Sequence, residues 1–289
     1  MSLQMTWTQR AVRARVIMSA AWKILREDKS LLLLPIASSL CLLLLVALLF
    51  TSTVVEAVAG EPLLESLRQV QALSQLSVFL LSVLGYSIGI FFNAALAVCV
   101  FRKLEGKPTT IGEGMKEALA CLPQIVGWAL LSSTIGLLLR MIERRSGFIG
   151  GLVANVLGVA WSVAAFLVVP VLVAERKGPF SALQESVQLL RRTWGENLLA
   201  GIGFGGLYFL LCIPGLLVFV IGAAMIPTHL ISAVMVMLLA ILYFPLLGLV
   251  LSTLSTIFDV VLYRYAKWGT ITPGFDRELL ITSFAAKPV

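Results

Sequence analysis

Apolar residues fill long stretches of this chain without interruption, and polar residues gather in short segments between them. Runs of that length fit α-helices crossing hydrocarbon, which need about 20 apolar residues to cover roughly 30 Å. Membrane strands would instead alternate in polarity, and no such alternation is present. The pattern predicts an all-α integral membrane protein with six transmembrane helices. They fall near Leu31 to Phe50, Leu76 to Phe101, Ala118 to Leu139, Phe148 to Ala174, Asn197 to Met225 and Ile231 to Tyr263. The third is short unless its helix continues back through Pro123, and Pro245 is expected to kink the long sixth.

Between the spans the periodicity changes to that of helices with one apolar face. In residues 11–28, Ala14, Ile17, Met18, Ala21, Ile24 and Leu25 share one side, opposite Arg15, Ser19, Lys23 and Arg26. Thr110 and Glu113 have capping-box spacing ahead of Ile111, Met115, Ala118 and Leu122. Pro179 suits a first helical turn, followed by a stripe of Phe180, Leu183, Val187, Leu190 and Trp194. Each segment leads into a span, with bends expected at REDKS, Pro123 and Gly195. Even-numbered spans also end alike, with Phe92-Asn93-Ala94-Ala95 running on to Arg102-Lys103, Phe166-Leu167-Val168-Val169 to Arg176-Lys177, and Phe258-Asp259-Val260-Val261 to Arg264 and Lys267. The expected architecture is three pseudo-repeated hairpins, each preceded by a cytoplasmic amphipathic helix, within one polytopic membrane domain over residues 1–289. A further short amphipathic helix, from Glu61-Pro62 through Leu73, is expected on the outer surface.

Composition agrees with the pattern: 59% of residues are hydrophobic, 13% are charged and the mean hydropathy is +0.99. Charge adds orientation. Eighteen of the 22 basic residues fall in the N-terminal segment, alternate loops and the tail from residue 264. Basic residues stay on the cytoplasmic side, so both termini are expected there, in a plasma (inner) membrane. The net charge of +7 then reads as a collar against anionic lipid heads, with membrane lipids as partners and no nucleic acid. Trp22, Arg191, Arg192 and Trp194 are the expected interfacial anchors. Ala57-Val58-Ala59 imitates a signal-peptide cleavage site, but the 30-residue leading segment and span-length apolar run keep the first helix in the mature protein. Cys41, Cys99, Cys121 and Cys212 lack paired spacing, so neither disulfides nor a metal site is expected.

Three stretches carry a resemblance: DKSLLLLPIASS, FFNAALAVCVFRKLEGKPTTIGEGMKEAL and FLVVPVLVAERKGPFSALQESVQLLRRTWGENL. They resemble an uncharacterised family of six-helix prokaryotic membrane proteins. More loosely, the helical pattern is similar to the membrane domain of some glycerophosphodiester phosphodiesterases, whose soluble catalytic barrel has no room here. Neither resemblance implies catalytic residues.

Candidate chemistry is sparse. Gly85-Tyr86-Ser87-Ile88-Gly89 matches a nucleophile-elbow pattern, but it lies within a span rather than at a strand-to-helix turn. The one histidine, His229, is expected at the opposite end of the molecule from Asp259, which excludes a triad. Gly85 and Gly89, Gly150 and Gly158, and Gly201 and Gly205 are expected to mark close helix contacts. Asn93, Ser252, Thr256 and Asp259 form a candidate polar groove, because an ionisable group inside a span faces a partner or a cavity. No catalytic residue and no cofactor is assigned. The expected function is non-enzymatic: holding lipid, a partner membrane protein or a second copy of the chain. The alternative is a transporter or channel for an amphiphile or small solute, lined by the sixth helix.

Overall fold

The computed structural model describes residues 19–58, 71–145, 147–194, 203–227 and 229–272. All regular elements among them are helical. A short helix α1 (residues 19–27) passes through a 3-10 turn, Lys29–Leu32, into α2 (Leu33–Val58). Then come α3 (Gln71–Leu104), α4 (Ile111–Ala120), α5 (Leu122–Arg145), α6 (Gly147–Ala164), α7 (Val168–Glu175) and α8 (Pro179–Trp194). The last pair is α9 (Gly203–Met225) and α10 (Leu230–Trp268). Among the described residues five stretches are long and apolar enough to cross a membrane: Lys29–Ala47, Phe79–Leu104, Leu122–Arg144, Gly150–Glu175 and Leu230–Trp268. The chain is a membrane protein. The expected fifth span corresponds to α9, whose fully described apolar part, Leu210–Met225, is shorter than the other five.

The helices divide into two compact units, one comprising residues 33–188 and the other residues 1–32 with 189–289. In the first, α3 is the organising element, touched by α2, α4, α5 and α7. Its second half, Ala94 to Val100, is sealed from the surface, whereas Leu80, Leu84 and Tyr86 in its first half stay exposed. Helix α4 approaches closest at Gly114, where a Cβ would meet the Cys99 sulfur and lie 2.8 Å from the Ala95 carbonyl oxygen. Gly127 of α5 likewise faces the Pro179 ring of α8, 2.8 Å from such a Cβ. Helices α5 and α6 pair with the indoles of Trp128 and Trp161 stacked at 5.4 Å.

In the second unit α9 and α10 form an antiparallel pair notched by glycine. A Cβ at Gly215 would strike the Tyr243 ring at 2.5 Å, and one at Gly222 the Met237 side chain at 2.7 Å. The Tyr243 hydroxyl donates to the Leu211 carbonyl at 2.6 Å, in the turn ahead of Pro214, which has no N–H to give. Helix α10 continues unbroken through Pro245 and on to Trp268, five residues beyond the expected end, and closes on Gly269 at φ 66°.

The third and fourth spans also depart from expectation. The third span does not run from Ala118: α4 ends at Ala120, the chain turns at Cys121, and Pro123 sits in the first turn of α5, where its missing N–H costs nothing. The fourth span, expected to be continuous from Phe148 to Ala174, breaks at residues 165–167. Phe166 N–H bonds to Val163 and Val168 N–H to Ala165, both one residue short of the α-helical register. This shift strands the Ala164 carbonyl and the Leu167 N–H, and Pro170 prevents the helix from closing up again. Ser186 of α8 takes both. Its hydroxyl donates to Ala164 O at 2.7 Å and accepts from Leu167 N at 3.2 Å, with Ser186 and Leu167 themselves fully buried. The expected bend at Gly195, the expected outer helix as far as residue 70 and residues 11–18 lie outside the described residues.

Ser186→Ala should therefore cost about 1–3 kcal/mol, because it leaves two buried backbone groups unsatisfied. Ser162→Ala is the control, since that exposed hydroxyl bonds only to its own helix at Gly158 O. Thermal unfolding in detergent should show a lowered midpoint for the first variant and an unchanged one for the second. Equal midpoints would remove the stitching role of Ser186.

Candidate functional site

Polar groups within the spans are the first place to look for function, since hydrocarbon offers them no partners. On α10 most of them are satisfied by their own helix. Ser252 donates to Leu249 O at 3.0 Å, Thr253 to the same carbonyl at 2.8 Å and Thr256 to Ser252 O at 3.0 Å. Asp259 differs, because its Oδ1 is buried with no hydrogen-bond partner among the described residues. Arg264 does not supply one. Five residues on, it projects roughly 140° away round the helix, and its own Nε and Nη1 are buried without partners. Asn93 is an exposed residue of α3 and belongs to the other unit.

Ions concentrate where α3 gives way to α4 and α7 to α8. Arg102, at the end of α3, bridges Glu113 at 3.0 Å and Glu117 at 3.2 Å on α4. Glu113 also donates its N–H to the Thr110 hydroxyl at 3.3 Å, which is one half of a capping box. The other half is missing because the glutamate side chain is turned to Arg102. Lys177, after α7, bridges Glu175 at 2.6 Å and Glu185 of α8 at 3.0 Å. Hydrogen bonds to Glu175 and then Glu185 push its pKa above the usual lysine value.

The registers of α4 and α8 coincide. In each, the carbonyl of the residue preceding the helix, Thr110 or Gly178, accepts from the N–H of the fourth residue, Gly114 or Ala182. Glu117 and Glu185 are each the seventh residue, and both meet a cation. Gly114 with Ala118, and Ala182 with Ser186, occupy the fourth and eighth positions, and all four are buried. Some large apolar residues face elsewhere, with Phe180 73% exposed and Leu119 55%, while Leu189 and Leu190 near the end of α8 are buried. Sequence periodicity singles out the large residues of α8, whereas part of its buried side is small. Two small residues four apart, one standing three before a glutamate and the other just after it, are the signal that marks that side.

Among the expected anchors, Trp22 is 47% exposed, and Arg191 and Arg192 are exposed in the last turn of α8. The Trp194 side chain lies outside the described residues. The expected packing glycines are dispersed. A Cβ at Gly85 would lie 3.8 Å from the Leu42 and Leu45 side chains of α2, one at Gly158 would lie 3.9 Å from Leu139 of α5, and one at Gly89 would meet nothing within 4 Å among the described residues. Gly150 is buried, Gly205 lies in α9 with its surroundings outside the described residues, and Gly201 is outside them altogether. Among the described residues no close contact is made at Gly89, and the tight approaches are at Gly114, Gly127, Gly215 and Gly222. Ser87, at the centre of the nucleophile-like pattern, donates to Val83 O at 2.7 Å, and His229 is the exposed residue before α10.

Large apolar side chains away from these polar junctions are left uncovered. Leu43 and Leu44 are 66% and 68% exposed on α2, Val156 62% on α6 and Ile231 81% on α10. Surface of this kind is soluble only in lipid or against another apolar helix.

No curated protein and no solved structure matches this chain. The looser likeness to the membrane domain of glycerophosphodiester phosphodiesterases finds no support there. A family model described as a family of unknown function matches residues 72–274, which take in nearly all of α3 and every element from there to the end of α10. The chain belongs to that family, DUF6159.

Proposed function

We propose that this protein is a non-enzymatic six-span protein of the plasma membrane that holds lipid against its uncovered helix faces, with a partner membrane protein or a second copy as the other possible occupant. The observation that carries this reading is the uneven packing of the spans. Their polar junctions are sealed by small residues, ion pairs and the Ser186 stitch, while Leu43, Leu44, Val156 and Ile231 offer exposed apolar surface. The shared register of α4 and α8 supports a repeated unit of interfacial amphipathic helix followed by a transmembrane hairpin. The distribution of basic residues supports a cytoplasmic location for both termini.

Transport of an amphiphile or small solute is the second reading, favoured by the unpartnered Asp259 Oδ1 and by the broken fourth span. Broken helices at membrane depth commonly line binding sites. The two readings differ over whether water reaches α10.

Native mass spectrometry after gentle delipidation is expected to show the protein carrying retained lipid. A bare protein with no lipid and no co-purifying protein would refute the holding function. Cysteines placed singly at positions 252, 256 and 259, in a chain lacking the four native cysteines, are expected to resist a water-soluble maleimide in intact membranes. Ready labelling of all three would establish an aqueous groove and favour transport. A reporter fused after Lys287 should respond as a cytoplasmic one, and an external response would reverse the topology.

A further inference from the structure

Helix α1 is tethered to the membrane boundary by the chain itself. A single residue, Asp28, separates it from the apolar stretch beginning at Lys29. The junction is firm, since Asp28 Oδ1 accepts from both the N–H and the hydroxyl of Ser30, at 3.1 and 2.5 Å. One side of α1 is closed by protein, with Ala21 fully buried, Leu25 2% exposed and Ile24 8%. The opposite side presents Trp22, Lys23, Arg26 and Glu27, all exposed, and two cations against one carboxylate leave it net positive. Trp22 and Arg26 are one turn apart and so lie along one ridge. An indole beside cations, held by covalent connection within a few residues of the hydrocarbon, matches the headgroup layer in both of its properties. The ring sits at the boundary between wet and dry, and the cations meet phosphate. The same pairing recurs near the other end of the described chain, where Trp268, 55% exposed, follows Lys267 in the last turn of α10.

We propose that the exposed face of α1, formed by Trp22, Lys23 and Arg26, docks on anionic phospholipid headgroups and gives the protein a preference for acidic over zwitterionic lipid. Charge complementarity selects this occupant. Zwitterionic headgroups would satisfy the indole equally well, but would leave the two cations no net gain over water. The inference rests on the lipid-holding function above and names the class of lipid held.

The test uses the full chain, reconstituted in vesicles containing equal amounts of phosphatidylcholine and phosphatidylglycerol, then extracted gently and weighed with its retained lipid by native mass spectrometry. Wild-type protein should retain phosphatidylglycerol in excess, and the excess should fall roughly fivefold for each charge removed in Lys23→Gln and in Lys23→Gln with Arg26→Gln. Lys107→Gln, which removes a loop cation already paired with Glu105 at 2.6 Å, should leave it unchanged. Because these are exposed positions, an unaltered unfolding temperature is expected and confirms that the variants fold. Retention of both lipids without preference, or a preference that survives the double substitution, overturns the inference while leaving lipid holding intact. Retention of no lipid at all overturns both.

Discussion

A backbone N–H or C=O inside hydrocarbon has no water to turn to, so each must be satisfied within the protein. Helix α3 and helix α10 meet this demand by remaining helical over 34 and 39 residues. The fourth span cannot, because Pro170 denies it a continuous ladder and the chain steps into 3-10 register at residues 165–167. The price is two stranded backbone groups, and Ser186 meets both with a single hydroxyl. A helix that begins only at Pro179 is thereby made part of a span that ends at Glu175. Small residues make that possible. A larger residue than serine at a fully buried position would hold α8 away from the break and leave the two groups alone.

The same logic, without the break, holds α4 on α3. Gly114 brings the helix near enough for Arg102 to reach two glutamates, which are the seventh and third residues of α4. Ion pairs this exposed each contribute little by themselves. Their effect is positional: a guanidinium forked between Glu113 and Glu117 fixes the angle at which α4 leaves the end of α3. Lys177 does the same with one glutamate on each side of its loop, although a lysine offers a point charge in place of a planar fork. Helix α1 is held by its buried Ala21, Ile24 and Leu25 and by the turn at Asp28.

What the sequence made legible follows from the range of the interactions involved. Long apolar runs identified five helices that can cross a membrane, since span length depends only on local composition and the thickness of hydrocarbon. The half capping box at Thr110 was legible for the same reason, its partners being three residues apart. The break at residues 165–167 was not, because Ala165, Phe166 and Leu167 are as apolar as their neighbours and the helix there fails through a proline further along and a serine 19 residues beyond Leu167. Pro123 misled in the opposite sense. Read as a bend, it serves as a helix start, and the bend falls two residues earlier at Cys121. Glycine spacing told which faces could come close, but not which have a neighbour: a Cβ at Gly89 meets nothing within 4 Å, while Gly215 and Gly222, both on α9, take the Tyr243 ring and Met237.

The polar stripe on α10 illustrates how burial and satisfaction together constrain function. A hydroxyl on a helix can bond back to a carbonyl one turn earlier and so needs no other partner. Here Ser252, Thr253 and Thr256 all donate to carbonyls three or four residues earlier, the arrangement by which hydroxyls tolerate an apolar setting. Ser252 does so while exposed on the protein surface, where hydrocarbon is the expected neighbour. Three hydroxyls are thus satisfied by the helix itself, without need of water. Asp259 breaks the pattern, with an oxygen that has no hydrogen-bond partner among the described residues, and its demand is local to one turn of the helix. A donor brought by a bound molecule at that turn would satisfy it, whereas a continuous water-filled groove is more than the stripe requires.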